Sequence, residues 1–183
     1  MASAFQERKL KGMFAAFDAD SDGYLREEDF RALVARWSRL PGVGPGTELR
    51  ARVEALLMGW WAALLEAGDA NGDGAVDLGE LLVLVDRLPA MIADVTATAD
   101  TVFDAVDTNG DGRISPEEHR RLVETWNGRS VDMAGVFDIL DLNGDGHLSR
   151  DEFALLWRQF WISDDPLEPG NWLCGRFPGA AAA

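Results

Sequence analysis

The chain has 183 residues, of which 17 are basic and 32 acidic, giving a formal net charge of −15. That length can bury a sizeable core, and an acidic chain without a basic patch is a poor partner for nucleic acid. No eighteen consecutive apolar residues occur and the opening MASAFQERKLKGMF lacks the long apolar run of a secretory signal, so the expectation is a soluble, cytoplasmic protein that does not enter a membrane.

Ser3 with Gln6 forms a capping box before a first helix, whose Leu10, Met13, Phe14 and Phe17 fall at i, i+3, i+4, i+7. It leads into a twelve-residue acidic loop, DADSDGYLREED (Asp18 to Asp29), and Phe30, Leu33, Val34 and Trp37 leave the loop at the same spacing. Pro41, Pro45 and three glycines in SRLPGVGPGTE (Ser38 to Glu48) break the helix. Thr47 then caps a long helix carrying Val53, Leu56, Leu57, Trp60, Trp61, Leu64 and Leu65. A second loop follows, DANGDGAVDLGE (Asp69 to Glu80), with Leu81, Leu84, Val85 and Leu88 beyond it and Pro89 ending the segment. The join to the next helix is only a few residues, too short to hold two halves far apart, so they are expected to pack on each other.

In the second half, Ala99, Val102, Phe103 and Val106 enter DTNGDGRISPEE (Asp107 to Glu118), and Leu122, Val123 and Trp126 mark a shorter helix leaving it. Ser130 is read as the N-cap of the next helix, whose Met133, Val136, Phe137 and Leu140 enter DLNGDGHLSRDE (Asp141 to Glu152). Phe153, Leu156, Trp157 and Phe160 leave it, followed by a tail with Trp172, Leu173 and Phe177. Loop starts are separated by 51, 38 and 34 residues, so the first interval is enlarged.

The loops share a chemistry. A hard cation such as calcium takes six to eight oxygens, supplied from positions 1, 3, 5, 7, 9 and 12 around a turn that needs glycine at position 6. Position 6 is Gly23, Gly74, Gly112 and Gly146. The candidate ligands are Asp18, Asp20, Asp22, Tyr24 and Asp29; Asp69, Asn71, Asp73, Ala75, Asp77 and Glu80; Asp107, Asn109, Asp111, Arg113, Ser115 and Glu118; and Asp141, Asn143, Asp145, His147, Ser149 and Glu152. Position 7 offers its backbone carbonyl, which is why Tyr24, Ala75, Arg113 and His147 can share one slot. Position 8 is apolar throughout (Leu25, Val76, Ile114, Leu148), suiting a short strand that pairs two loops back to back. These ligand positions hold 14 of the 32 acidic residues, and four divalent ions would bring the net charge to −7.

The first loop is the irregular one. Its position 12 is Asp29, one methylene shorter than glutamate, and its position 9 is Arg26, which has no acceptor to offer. A tighter six-oxygen geometry there would suit magnesium better than calcium.

Four such loops identify the EF-hand superfamily. The enlarged first interval and the SDDP and PGNWL pieces between Ser163 and Leu173 resemble the sarcoplasmic calcium-binding proteins and their calerythrin-like bacterial relatives. The resemblance covers nearly the whole chain. It implies an all-α fold of four EF-hands in two pairs (1–88 and 89–163) packed as one globule, with short β pairing between loops and a tail (164–183) docked on the core. It also implies an intracellular calcium buffer or signal modulator rather than an enzyme. Members of that family do not load every hand, whereas this chain keeps four intact-looking loops.

Five scattered methionines against seven tryptophans speak for a filled core over a flexible target groove. A calcium sensor that exposes such a groove is the alternative, and a binder of an apolar small ligand, of the luciferin-binding type, a more distant one. Both histidines, His119 and His147, are expected at the surface. Cys174 is the single cysteine, a plain thiol in the tail. The protein is read as a monomer with calcium ions as its partners.

Overall fold

Apolar residues at helical spacing fold as helices around the loops in the computed structural model, which describes residues 3–84 and 92–176. The first hand is α1 (Ala4–Phe17) and α2 (Glu27–Trp37), and the second is α3 (Glu48–Gly68) and α4 (Leu78–Leu84). The third is α5 (Ile92–Val106) and α6 (Pro116–Asn127), and the fourth is α7 (Val136–Leu140) and α8 (Arg150–Ile162). Val85, Leu88, Pro89 and Phe177 lie outside the described residues.

Ser3 Oγ accepts from the Gln6 N–H at 3.1 Å while the Gln6 side chain accepts from the Ser3 N–H at 3.0 Å, completing the capping box. Thr47 Oγ1 accepts from the Arg50 N–H at 3.2 Å. Ser130, by contrast, does not cap: its hydroxyl bonds Glu124 at 3.2 Å. The entering helix starts only at Val136, because Gly135 turns the chain with φ of 71°. The third leaving helix is not short either. With Pro116 in its first turn, α6 runs 12 residues against 11 for α2.

Strand β1 (Tyr24–Leu25) pairs antiparallel with β2 (Val76–Asp77), and β3 (Arg113–Ile114) with β4 (Leu148–Ser149). Leu25 stands opposite Val76 and Ile114 opposite Leu148, all four buried. The apolar position 8 therefore ties hands one and two together, and hands three and four, through side chains that close the floor under each pair of loops.

An aromatic lattice joins the halves. Trp60 on α3, Trp126 on α6, and Trp157 and Trp161 on α8 are all in mutual contact, every pair with ring centroids 5.5 to 6.2 Å apart. Phe17 adds α1 by contacting Trp126 at 5.2 Å. Arg36 on α2 donates to the Ala16 carbonyl near the end of α1 at 2.9 Å and reaches the Trp126 carbonyl on α6 at 3.5 Å. A cation at the end of a helix offsets its unpaired carbonyls.

The tail folds back onto α8 through a 3-10 turn at Pro169–Trp172. Gly170 makes this approach possible: a Cβ there would run into the Leu156 carbonyl and the Gln159 side chain, and its N–H donates to Gln159 Oε1 at 2.9 Å. Leu173 is fully buried. The backbone is then fixed by side chains from distant elements. Lys9 Nζ donates to the Ser163 carbonyl (2.9 Å) and to Asn171 Oδ1 (3.0 Å), and Asn127 donates to the Cys174 carbonyl (3.1 Å). His119, expected at the surface, is instead buried and bonded through Nε2 to the Leu173 carbonyl at 2.8 Å.

Candidate metal centres

The four loops curl alike because the same backbone N–H groups find the same carboxylates. In the second loop Asp69 accepts from Gly72, Asp73 and Gly74 at 2.7 to 3.1 Å. Asp107 does so from Gly110, Asp111 and Gly112, and Asp141 from Gly144, Asp145 and Gly146. Asp18 accepts only from Asp22 and Gly23. Position 3 accepts from the N–H of position 5, and position 5 from that of position 7, in all four loops. The chain is bent by positive φ at positions 4 and 6. Position 4 is glycine in three loops but Ser21, with φ of 59°, in the first, a left-handed backbone that favours glycine.

Position 12 closes the loop from the next helix. Its carboxylate accepts from the N–H of position 9, at 2.8 to 3.0 Å, in every loop. Its other oxygen accepts from the N–H of position 2 in three of them: Asp29 from Ala19, Glu80 from Ala70, and Glu118 from Thr108. In the fourth, Glu152 Oε1 is buried with no hydrogen-bond partner among the described residues. A buried carboxylate oxygen left unpaired is costly, and a cation seated in the loop would satisfy it. The donors in all four loops are carboxylate, amide, hydroxyl and carbonyl oxygens, the hard set that calcium and magnesium take. In the first loop Asp18, Asp20 and Asp22 each bring an oxygen within 4.8 Å of the others.

Position 12 differs electrostatically between hands. Burial pushes the Asp29 carboxyl up, against the N–H groups of Arg26 and Ala19. Burial also opposes ionisation of Glu118, but the Ser115 and Thr108 donors outweigh it and hold that carboxyl below its ordinary range.

Position 9 shows what ligand counting passed over. Asp77, Ser115 and Ser149 each accept from the position-12 N–H, closing the start of the next helix. Arg26 has no such oxygen and instead forms an ion pair with Asp22 at position 5, its guanidinium 4.9 Å from the Tyr24 ring centre. The i, i+4 spacing of Asp22 and Arg26 was the signal in the sequence that could have found it.

Two family models described as an EF-hand domain pair match residues 96–158 and 2–36, and one described as an EF hand matches residues 62–85. Guanylyl cyclase-activating protein 1 of Lithobates pipiens is 36% identical over 114 residues, which are 60% of this chain and 48% of that protein. Sarcoplasmic calcium-binding protein 1 of Astacus leptodactylus is 30% identical over 111 residues, 57% of this chain and 58% of the relative. The chain thus spans about half the length of the curated relatives it matches. Among solved structures, a sarcoplasmic calcium-binding protein from amphioxus superposes with a TM-score of 0.73 at 22% identity, over 97% of this chain and 100% of that one. At that identity the likeness is one of fold.

Proposed function

This chain belongs to the EF-hand superfamily, and from that premise we propose that it is a calcium-binding protein of the buffering or signal-modulating kind, working as a cytoplasmic monomer. Its ions are held by positions 1, 3, 5, 7 and 12 of each loop, and by position 9 where that residue has an oxygen. The first loop is the one where magnesium competes. The functional units are the hand pairs 1–88 and 89–163 and the tail 164–183. The role is binding, not catalysis: His119 is buried against the tail and Cys174 within it, rather than presented to a substrate.

One observation carries the buffer reading. Among the described residues, the apolar interior that a sensor would open to a target is occupied by the tryptophan lattice between the halves and by buried Leu173 of the tail. A sensor opens a flexible groove on binding calcium, whereas a buffer barely changes shape. The crevice between α2, α3 and α5, lined by Trp37, Val53, Leu57, Trp60 and Val102 among others, is too narrow for a water molecule, which counts against a luciferin-type ligand there. The sensor alternative draws its support from the likeness to the guanylyl cyclase-activating relative.

Calorimetric titration with calcium, with and without magnesium, paired with a hydrophobic dye, separates the readings. A buffer binds several ions and leaves the dye dark. Bright dye on the loaded full-length chain would overturn the buffer reading in favour of the sensor. Deleting residues from Pro166 onward should light the dye in the loaded state and lower stability by about 3 kcal/mol or more, since fully burying one large apolar side chain contributes about 1.5–3 kcal/mol. A truncated chain that melts like the full one would show that the tail does not close the interior.

A further inference from the structure

We propose that Arg26 is a tethered cation that competes with metal in the first loop and holds its affinity below that of the other three, an inference that rests on calcium binding by these loops. Three observations carry it. Asp22 has both oxygens engaged, Oδ1 by the Tyr24 N–H at 2.9 Å and Oδ2 by the Arg26 guanidinium. The Arg26 N–H is itself fixed to Asp29 at 2.8 Å, so the guanidinium is anchored beside the ligand it occupies and acts at high effective concentration. Charge supplies the third. Position 3 is Asp20 where the other loops have Asn71, Asn109 and Asn143. The first loop therefore carries four ligand-position carboxylates against three in the third and fourth, and Arg26 offsets one of them. Metal entry requires Asp22 to release the guanidinium, whereas without metal the guanidinium relieves the repulsion among Asp18, Asp20 and Asp22.

The two effects have opposite signs, which a merely structural residue would not produce. Tyr24 is the sole tyrosine and sits at position 7 of this loop, so terbium luminescence sensitised by Tyr24, with Tyr24→Ala as the blank, reads the first site in the full chain. Arg26→Met, which removes the charge without adding an oxygen at position 9, should lower the half-saturating terbium concentration about tenfold, the scale of one unit charge a few ångströms away in a wet site. In chelator the same variant should melt below wild type, and adding Asp20→Asn should restore that melting temperature. Arg26→Lys, which keeps the charge, should hold the midpoint within about twofold of wild type, an effect under half a kcal/mol. An unchanged or raised midpoint in Arg26→Met, or a higher melting temperature in chelator, overturns the proposal while the other loops still fill. A wild-type chain that binds neither calcium nor terbium at any loop overturns the functional reading and this one with it.

Discussion

The first hand and the carboxyl-terminal pair use one loop pattern under different constraints. Loops three and four have glycine at position 4, serine at position 9 and glutamate at position 12, and the helices behind them, α6 and α8, hold the tail through His119, Asn127 and Gln159. The first loop has Ser21, Arg26 and Asp29 at those three positions. Its strand pairing with the second loop is nevertheless the same as that between loops three and four. Backbone curvature and pairing thus survive changes in the ligand set, because N–H donors and the apolar position 8 build them. Under the proposed function, the ligand set is free to be tuned one loop at a time.

Removing metal is the bluntest way to probe this contrast. With calcium about a hundredfold above its dissociation constant, each filled site adds about 2.7 kcal/mol to stability, so melting in chelator should fall far below melting in millimolar calcium. Equal curves would mean that the loops do not couple metal to folding. Position 12 sharpens the comparison. Glu152→Gln should remove one ion from the measured stoichiometry and about 2–3 kcal/mol of calcium-dependent stability, whereas Asp29→Asn, at a site of short reach and a resident guanidinium, should cost less than about 1 kcal/mol. A larger loss at Asp29 than at Glu152 would invert the ranking of the two hands.

The carboxyl-terminal half should also be the acid-sensitive one. Burial lowers the His119 imidazole to about 4 from its ordinary value near 6.5. Between those two values the unfolded chain binds the proton and the folded chain does not, so stability falls as pH drops through that window. The loss reaches about 3 kcal/mol once pH is below both values. The Glu118 and Asp104 carboxyls, held below their ordinary range, add a loss of the same sign, so the measurement is the difference between wild type and His119→Gln in chelator. That difference should shrink as the pH falls from 6.5 to 4; a constant gap would show that His119 titrates normally. The smallest effect belongs to the first loop. Ser21→Gly relieves a left-handed residue at φ of 59° and should raise stability by about 0.5–1 kcal/mol, seen as a small upward shift in melting temperature. A downward shift would mean that the serine side chain, not backbone strain, governs that position.

Most of this molecule was legible in its sequence because an EF-hand repeats short-range rules. Glycines, alternate oxygens and an apolar position 8 recur within twelve residues, and the helices on either side announce themselves every third or fourth residue. What was hidden lay at long range or in one backbone angle. His119 follows position 12, where a surface residue is expected, and only a carbonyl 54 residues away explains its burial. Lys9 is a buried lysine because Asn171, 162 residues on, accepts a hydrogen bond from its ammonium. Ser130 looked like a cap, and the left-handed Gly135 after it moved the helix start to Val136. Arg26 and Asp22 were close enough in sequence to pair, but counting acceptors weighed only what Arg26 fails to give.

Cys174, the one thiol in the chain, is buried within the tail at 2% exposure, and burial pushes it well above the usual thiol range. A reagent added to the native protein meets neither an accessible sulfur nor a thiolate until that segment lifts. Where labelling outpaces reclosing, its rate is the opening rate. Where reclosing is faster, the rate measures the opening equilibrium. The molecule therefore contains its own stopwatch for the lifting of that segment, readable with an ordinary thiol reagent and no introduced probe.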